Sequence, residues 1–331
     1  MHRIYVEDWA ATYGSPYMVR SDEVAPAEVK FVEDGASLAR DPEQWRNRER
    51  LAFVDGVRRG DACLYQEDPA SGELRRGLAG SHACGAVLVE PAAIPVIERT
   101  CVSRLVVWGG GLDGGLADQP GGWSWSVASI ESTEPDAPLA DLQERMRRAE
   151  SALAARLCAE GFLTILDGPL TFVRSTESPV LGYIKTHHRR LLDPEAHRAV
   201  PSLGPGERTR VFTLGADRYS CYLRLAAPSE AAGPWAGIVR LEIRQTAGLE
   251  IAIDVVDRAA AVLPRFAGIA HRDPRAPQNL QPVGALESSL RHLLGHPGLA
   301  RRAVRAGVLQ ETRRARAAED AQRIPLAAIP G

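Results

Sequence analysis

Two Asp-Gly pairs, each at the end of an apolar run, are the residues of this sequence best suited to chemistry. Residues 51–56 read LAFVDG, and residues 163–168 read LTILDG. A short apolar run predicts a buried strand. We therefore predict that Asp55 and Asp167 lie on neighbouring strands of one sheet, where both carboxylates would converge on divalent metal. The alternative is that each Asp-Gly pair only marks a turn after a buried strand.

Two further side chains would complete an acidic metal site. Glu150 lies on a helix predicted over residues 140–160, where apolar residues recur at intervals of three and four. Packed antiparallel on the second strand, this helix would bring Glu150 near Asp167, and Glu131 is the competing acid. His271 follows a small apolar run, where a histidine is either a ligand or a structural residue.

Phosphodiester hydrolysis is the chemistry that this set of residue types supports. Two divalent ions about 3.5–4 Å apart activate water and stabilise the leaving oxygen in many nucleases. Mg²⁺ and Mn²⁺ prefer carboxylate oxygens, and a histidine ligand favours Mn²⁺. The expected cofactor is therefore Mn²⁺, with Mg²⁺ as the second choice, in a two-metal site.

Basic residues beside the candidate site are candidates for DNA contact. Lys185, one of only two lysines in the chain, ends a predicted strand and is followed by the basic run HHRR at 187–190. Such a run can hold a phosphate backbone or be only a polar loop. The predicted DNA-binding residues are Arg58, Arg59, Lys185, His188 and Arg189.

Composition indicates an ordinary globular protein. The 331 residues are 45% hydrophobic and 25% charged, and the formal net charge of −2 gives no overall basic field. The five cysteines are widely spaced without a CxxC pair, which favours a reducing cytoplasm over a zinc or disulfide framework. We also expect no membrane association, because no apolar run approaches the roughly 20 residues of a membrane span.

Hydrophobic periodicity predicts an α/β fold with a mixed central sheet, flanking helices and extra antiparallel hairpins. A hairpin is predicted over residues 51–66, turning near Gly60, and another over 208–225. Helices are expected at 286–294 and 299–308.

The chain is divided into three regions by these patterns. Residues 1–50 read as an irregular arm with a short helix that starts near Asp41, because aspartate followed by proline is a good helix start. Residues 51–310 form the main domain. Residues 311–331 are charged and then rich in proline and alanine, so we predict a flexible tail.

The candidate residues also carry a resemblance to a known family. The chain resembles the NurA nucleases, which work with the hexameric HerA translocase in DNA-end processing. The matching segments occur in the family's order across residues 52–272: FVDG at 53–56, the helix carrying Glu150, ILDGPL at 165–170, LGYIK at 181–185, and Pro264 followed by Ala-His at 270–271.

This resemblance implies a ribonuclease H-like fold and a Mn²⁺-dependent exo- and endonuclease acting in DNA-end processing, repair or defence. It assigns the metal and catalytic roles to Asp55, Glu150, Asp167 and His271. It further implies a homodimer with a central channel that docks on a HerA-type hexameric ATPase. One departure is that Leu263 stands where the family usually has a tyrosine.

Two other functions compete with the nuclease. The Leu263 departure is compatible with a non-catalytic adaptor, a docking ring on the translocase with a decayed site. An acidic-site hydrolase of small phosphoesters is the third hypothesis, although arginine-rich late helices argue against it.

Overall fold

A large mixed β-sheet dominates the computed structural model, which describes residues 4–6, 29–35, 37–40, 49–68, 71–173, 179–187, 190–228, 233–273 and 275–323. The strands are β1 Ile4–Val6, β2 Val29–Phe31, β3 Ala39–Arg40, β4 Leu51–Glu67, β5 Leu74–Val89, β6 Val96–Trp108, β7 Ser126–Ser129, β8 Leu163–Asp167, β9 Leu181–Ile184, β10 Arg208–Thr209, β11 Phe212–Leu214, β12 Arg218–Arg224 and β13 Ile238–Arg244. The helices are α1 Ala137–Ala159, α2 Pro194–Ala199, α3 Leu249–Val262, α4 Gln281–Leu293 and α5 Pro297–Arg323.

The strand order is β2-β11-β12-β13-β9-β8-β4-β5-β6-β7, with β1, β3 and β10 attached at the side. Strands β4, β8 and β9 are parallel neighbours in the middle of the sheet. On one side β5 and β6 continue antiparallel, and on the other side β13 pairs antiparallel with β9. The expected α/β architecture with a mixed sheet flanked by helices is therefore confirmed.

Helices cover both faces of the central strands. Because successive side chains of a strand point to opposite faces, Leu51 and Phe53 of β4 pack in a core with α3 and α4 residues, such as Leu286. Ala52 and Val54 pack in a second core with residues of α1 and β8. A strand that is covered on both sides reads as a continuous apolar run, which is the pattern seen before Asp55.

The hairpin predicted over residues 51–66 is wrong. Strand β4 continues through this stretch and pairs with β5 over its whole length, with a register irregularity between Gly60 and Ala62. Glycine in a strand can accommodate a bulge as readily as a turn, so the chain does not reverse here.

The predicted helix over residues 140–160 is confirmed, and it begins three residues earlier, at Ala137, with Pro138 in its first turn. The late helices are also confirmed as α4 and α5. However, α5 continues to Arg323, so the predicted flexible tail is helical up to that residue. Buried Val304, Val308 and Ala315 extend its apolar side.

Three further predictions concern a hairpin, a helix start and membrane spans. The first arm of the hairpin predicted over residues 208–225 is two short strands, β10 and β11, and both pair with β12. The predicted helix start at Asp41 lies outside the described residues. Among the helices that the structure describes, none is both long enough and apolar enough to cross a membrane.

Candidate metal centre

Asp55 and Asp167 lie side by side on β4 and β8. The parallel register pairs Val54 with Leu166, so the next residue of each strand is an aspartate. Phe53 and Ile165, each two residues before an aspartate, pack in the core that the sheet shares with α3 and α4. Because residues two apart on a strand point to the same face, both carboxylates lie on the sheet face covered by α3 and α4. The predicted placement on neighbouring strands is confirmed.

Helix α4 brings a third carboxylate to this pair. Oxygen atoms of Asp55, Asp167 and Glu287 all lie within 4.8 Å of one another. Glu287 is 6% exposed, and its neighbours Leu286 and Leu290 hold α4 against the sheet. Metal–oxygen distances of about 2.0–2.6 Å mean that ligands on one ion are separated by up to about twice that length. The three oxygens therefore fit one divalent ion.

Sequence reasoning missed Glu287. The signal lay in its position beside the apolar residues of a predicted helix, a place where an acidic side chain becomes buried if the helix packs on the sheet. The packing partner of α4 was not evident from the sequence, because the helix starts 230 residues after β4 begins at Leu51 and 114 residues after β8 ends at Asp167.

Glu150 approaches from the opposite face of the sheet. It is buried on α1, and a Cβ atom added to Gly56 would lie 2.4 Å from Glu150 Oε1. The backbone N–H of Gly56 donates a hydrogen bond to this carboxylate. Glu150 thus sits close to the aspartates, but it is not a member of the three-carboxylate group. Its competitor Glu131 is exposed in the loop after β7.

The buried carboxylates repel one another. Burial raises the pKa of Asp55 well above its usual range, and the charges of Asp167 and Glu150 raise it further. Burial, and then the charge of Asp167, raises the pKa of Glu150 to about 8. Burial also raises the pKa of Asp167, against the opposing effect of Lys185. A bound cation would relieve this repulsion by favouring the ionised forms.

Lys185 lies inside the acidic cluster. Its Nζ atom donates hydrogen bonds to Asp167 Oδ2 and to Asn279 Oδ1, the second at 2.5 Å. Asn279 in turn donates to Asp273 Oδ2 at 2.6 Å. Lys185 was predicted to contact DNA, which stays a prediction; in the structure its ammonium group is paired with a carboxylate of the candidate metal centre.

Arg275 balances the third carboxylate. Its two terminal nitrogens donate to Glu287 Oε1 and Oε2 at 2.8 and 2.9 Å, and it also bonds Asp273. Together with Arg291, which donates to Glu287 at 3.0 Å, Arg275 holds the pKa of Glu287 below its usual value despite burial. Glu287 is therefore ionised at neutral pH, and a cation would share its carboxylate with the two arginines.

The other residues predicted to contact DNA have different surroundings. Arg59 donates to the carbonyl oxygens of Gly295 at 2.6 Å and Leu294 at 3.1 Å, and it forms an ion pair with Asp61, so its guanidinium serves the fold. Arg58 donates to Gln143 of α1. His188 and Arg189 lie outside the described residues.

His271 is exposed in the turn that follows the 3₁₀ helix Leu263–Phe266. It does not belong to the group formed by the three carboxylates. Leu263 is fully buried in the core beneath α4. The structure therefore brings together Asp55 and Asp167, places Glu150 nearby, and leaves His271 at the surface.

A cavity of about 730 Å³ lies next to the residues that hydrogen-bond to Lys185. Asp273 and Asn279, which link to Lys185, form part of its wall, and Arg265, Phe266 and Arg272 line it as well. The cavity wall therefore combines cationic and aromatic side chains, and it shares Asp273 and Asn279 with the hydrogen-bond network of Lys185.

The comparisons with known proteins do not assign the chain to a family. No protein-family profile matches it, and no curated protein is significantly similar to it in sequence.

Proposed function

We propose that this protein is a divalent-metal-dependent nuclease that hydrolyses DNA phosphodiester bonds. The observation that carries the proposal is the convergence of Asp55, Asp167 and Glu287, from two strands and a helix, within 4.8 Å of one another. An all-carboxylate donor set suits the hard cations Mg²⁺ and Mn²⁺ alike. Mn²⁺ stays the expected ion on the resemblance to the NurA family, with Mg²⁺ as the second choice. A bound ion would lower the pKa of water and neutralise charge on the scissile phosphate.

The surrounding residues would prepare the site for that chemistry. Asp55, Asp167 and Glu287 would hold the ion, while Arg275 keeps the Glu287 carboxylate oriented by two hydrogen bonds. Lys185, displaced from Asp167 when a cation binds, would remain within reach of a phosphate oxygen. The predicted two-metal site would also need Glu150 as a ligand. Its carboxylate would have to extend from α1, on the other side of the sheet, towards the two aspartates.

The strand order supports a ribonuclease H-like fold as part of this proposal. Strands β6, β5, β4, β8 and β9 lie in that order, with the first three antiparallel and β8 and β9 parallel to β4. In the sequence, helix α1 lies between the antiparallel strands β4 to β6 and the parallel strands β8 and β9. The resemblance to the NurA family also implies a ribonuclease H-like fold.

Cleavage of DNA with matched variants tests the proposal. The wild-type protein is expected to degrade linear DNA when Mn²⁺ is added, and Asp55→Asn and Asp167→Asn to abolish degradation. Glu131→Gln, which changes an exposed acid, should retain full activity. Wild-type activity in Asp55→Asn would refute the assignment, and activity only on small phosphoesters would favour the alternative hydrolase.

A non-catalytic adaptor on a translocase is the second candidate. It is favoured by Leu263, which is buried where the resembling family has a tyrosine, and by the surface position of His271. Homodimerisation and binding to a HerA-type hexameric ATPase are part of both proposals. Co-purification of the two proteins without any Mn²⁺-dependent cleavage would support the adaptor over the nuclease.

A further inference from the structure

Two of the five cysteines face each other across β5 and β6. Cys84 and Cys101 are direct partners in the antiparallel register, and their Sγ atoms are 3.4 Å apart. An S–S bond of about 2.05 Å requires the sulfurs to approach by only about 1.4 Å more. Antiparallel partners have Cα atoms about 4.5–5.5 Å apart, which is within the range that disulfides span.

The two thiols differ in access. Cys101 is exposed, whereas Cys84 is 3% exposed. In the part of the chain that the structure describes, β7 pairs with β6 only from Leu105 onward, so the edge of β6 at Cys101 is uncovered. Burial, followed by the hydrogen bond with Cys101, raises the pKa of Cys84 above its usual range. An oxidant would therefore meet Cys101 first, with a resolving thiol directly beside it.

We propose that Cys84 and Cys101 are a reversible oxidation site that closes to a disulfide in the presence of hydrogen peroxide. The Cys101 thiolate would attack one peroxide oxygen, breaking the O–O bond and releasing hydroxide, which leaves a sulfenic acid. The Cys84 sulfur would then attack the Cys101 sulfur, forming the S–S bond and expelling the oxygen as water once protons are transferred. Two thiols are oxidised and one peroxide is reduced to two water molecules.

Cys84 lies on β5, the strand next to the one that carries Asp55. Cys84 is the register partner of Gly56, the residue next to Asp55, and it packs in the core formed with α1. A disulfide would close a loop from residue 84 to residue 101 and restrict the unfolded chain, so oxidation is expected to raise the unfolding temperature. This inference does not depend on the nuclease proposal.

Oxidation of the purified full-length protein tests the site. After treatment with hydrogen peroxide, the intact mass should fall by two hydrogen atoms, and non-reducing peptide mapping should link residue 84 to residue 101. Dithiothreitol should restore both thiols. Sulfinic or sulfonic acid at Cys101 with Cys84 still a free thiol, or a cross-link between two chains through Cys101, would overturn the proposal.

Single variants separate the roles of the two sulfurs. Cys84→Ser should trap Cys101 as a sulfenic acid that reacts with dimedone, whereas Cys158→Ser, a buried control outside the pair, should form the same disulfide as wild type. If Cys84→Ser does not fold, the wild-type peptide map alone decides the question. Cys101→Ser cannot form the proposed bond. If this variant still forms a disulfide within the chain at the wild-type rate, the assignment is contradicted.

Discussion

At the scale of single residues, the candidate centre concentrates like charges that the fold does not fully neutralise. Asp55 and Asp167 are adjacent, and Lys185 is paired with only one of them. Burial of carboxylates is costly unless they are protonated, paired or bound to a metal ion. A bound cation would offset this cost, and this is the physical basis of the proposed metal site.

Removing one carboxylate should separate metal binding from folding. With Mn²⁺ at 100 times its dissociation constant, binding to the native state would stabilise the wild-type protein by about 2.7 kcal/mol. Asp167→Asn and Glu287→Gln should lose this stabilisation, measured as the Mn²⁺-dependent shift in unfolding temperature. The exposed control Glu131→Gln should shift as wild type does, and equal shifts in all four proteins would exclude the site.

Lys185→Met should tighten Mn²⁺ binding. The ammonium group bonds Asp167 and competes with a cation for the same carboxylate. In the absence of metal, the variant should be less stable by on the order of 2 kcal/mol, below the 3–5 kcal/mol typical of broken buried pairs because Asp167 can take up a proton. Isothermal titration calorimetry measures the affinity, and weaker Mn²⁺ binding would mean that Lys185 organises the site instead of competing for it.

Glu150 should make the metal-free protein less stable as pH rises. Its pKa is raised from the ordinary 4.5 to about 8 by burial and by Asp167. The folded state then holds a proton that the unfolded state releases, so its contribution is complete below pH 4.5 and is lost as pH rises to about 8.

Urea unfolding of wild type and Glu150→Gln between these pH values measures this effect. The stability difference should change by up to about 1.4 kcal/mol per pH unit. Comparing the two proteins removes the opposite contributions of acids with lowered pKa, such as Asp273. A difference that stays constant with pH would show that Glu150 is ionised throughout.

At the scale of elements, the site depends on how α1 fits against β4. Gly56 has no side chain, and this absence leaves room for Glu150 and Met146 of α1. The sequence predicted that Gly56 lies in a strand that turns back near Gly60. In the structure the strand continues to Glu67, and Gly56 leaves room for the Glu150 side chain of α1. The hydrophobic pattern correctly predicted a strand that begins at Leu51 and the helix α1. The packing role of Gly56 could not be predicted, because it depends on α1, which is distant in sequence.

Gly56→Ala should therefore destabilise the protein by about 1–3 kcal/mol, the usual range for overpacking a core. The added Cβ would lie 2.4 Å from Glu150 Oε1 and 3.0 Å from the backbone oxygen of Ala83. Gly115→Ala is the control, since its Cβ would meet Val127 at an ordinary 3.7 Å. Chemical denaturation gives both values, and equal stabilities would show that α1 can shift away without cost.

At the scale of the whole molecule, residues from distant parts of the chain meet at one point of the sheet. The pairing of Asp55 with Asp167 could be predicted because both follow short apolar runs typical of parallel central strands. Glu287 could not, because its inclusion depends on the packing of α4 against the same face. His271 was predicted from family resemblance, and the structure places it at the surface.

Anomalous diffraction from crystals grown with Mn²⁺ would test the metal centre most directly. The expected result is a manganese peak bonded to oxygens of Asp55, Asp167 and Glu287, with Lys185 moved away from Asp167. A second peak beside Glu150 would establish the two-ion form. If crystals grown with excess Mn²⁺ show no manganese peak at these carboxylates, the assignment is contradicted.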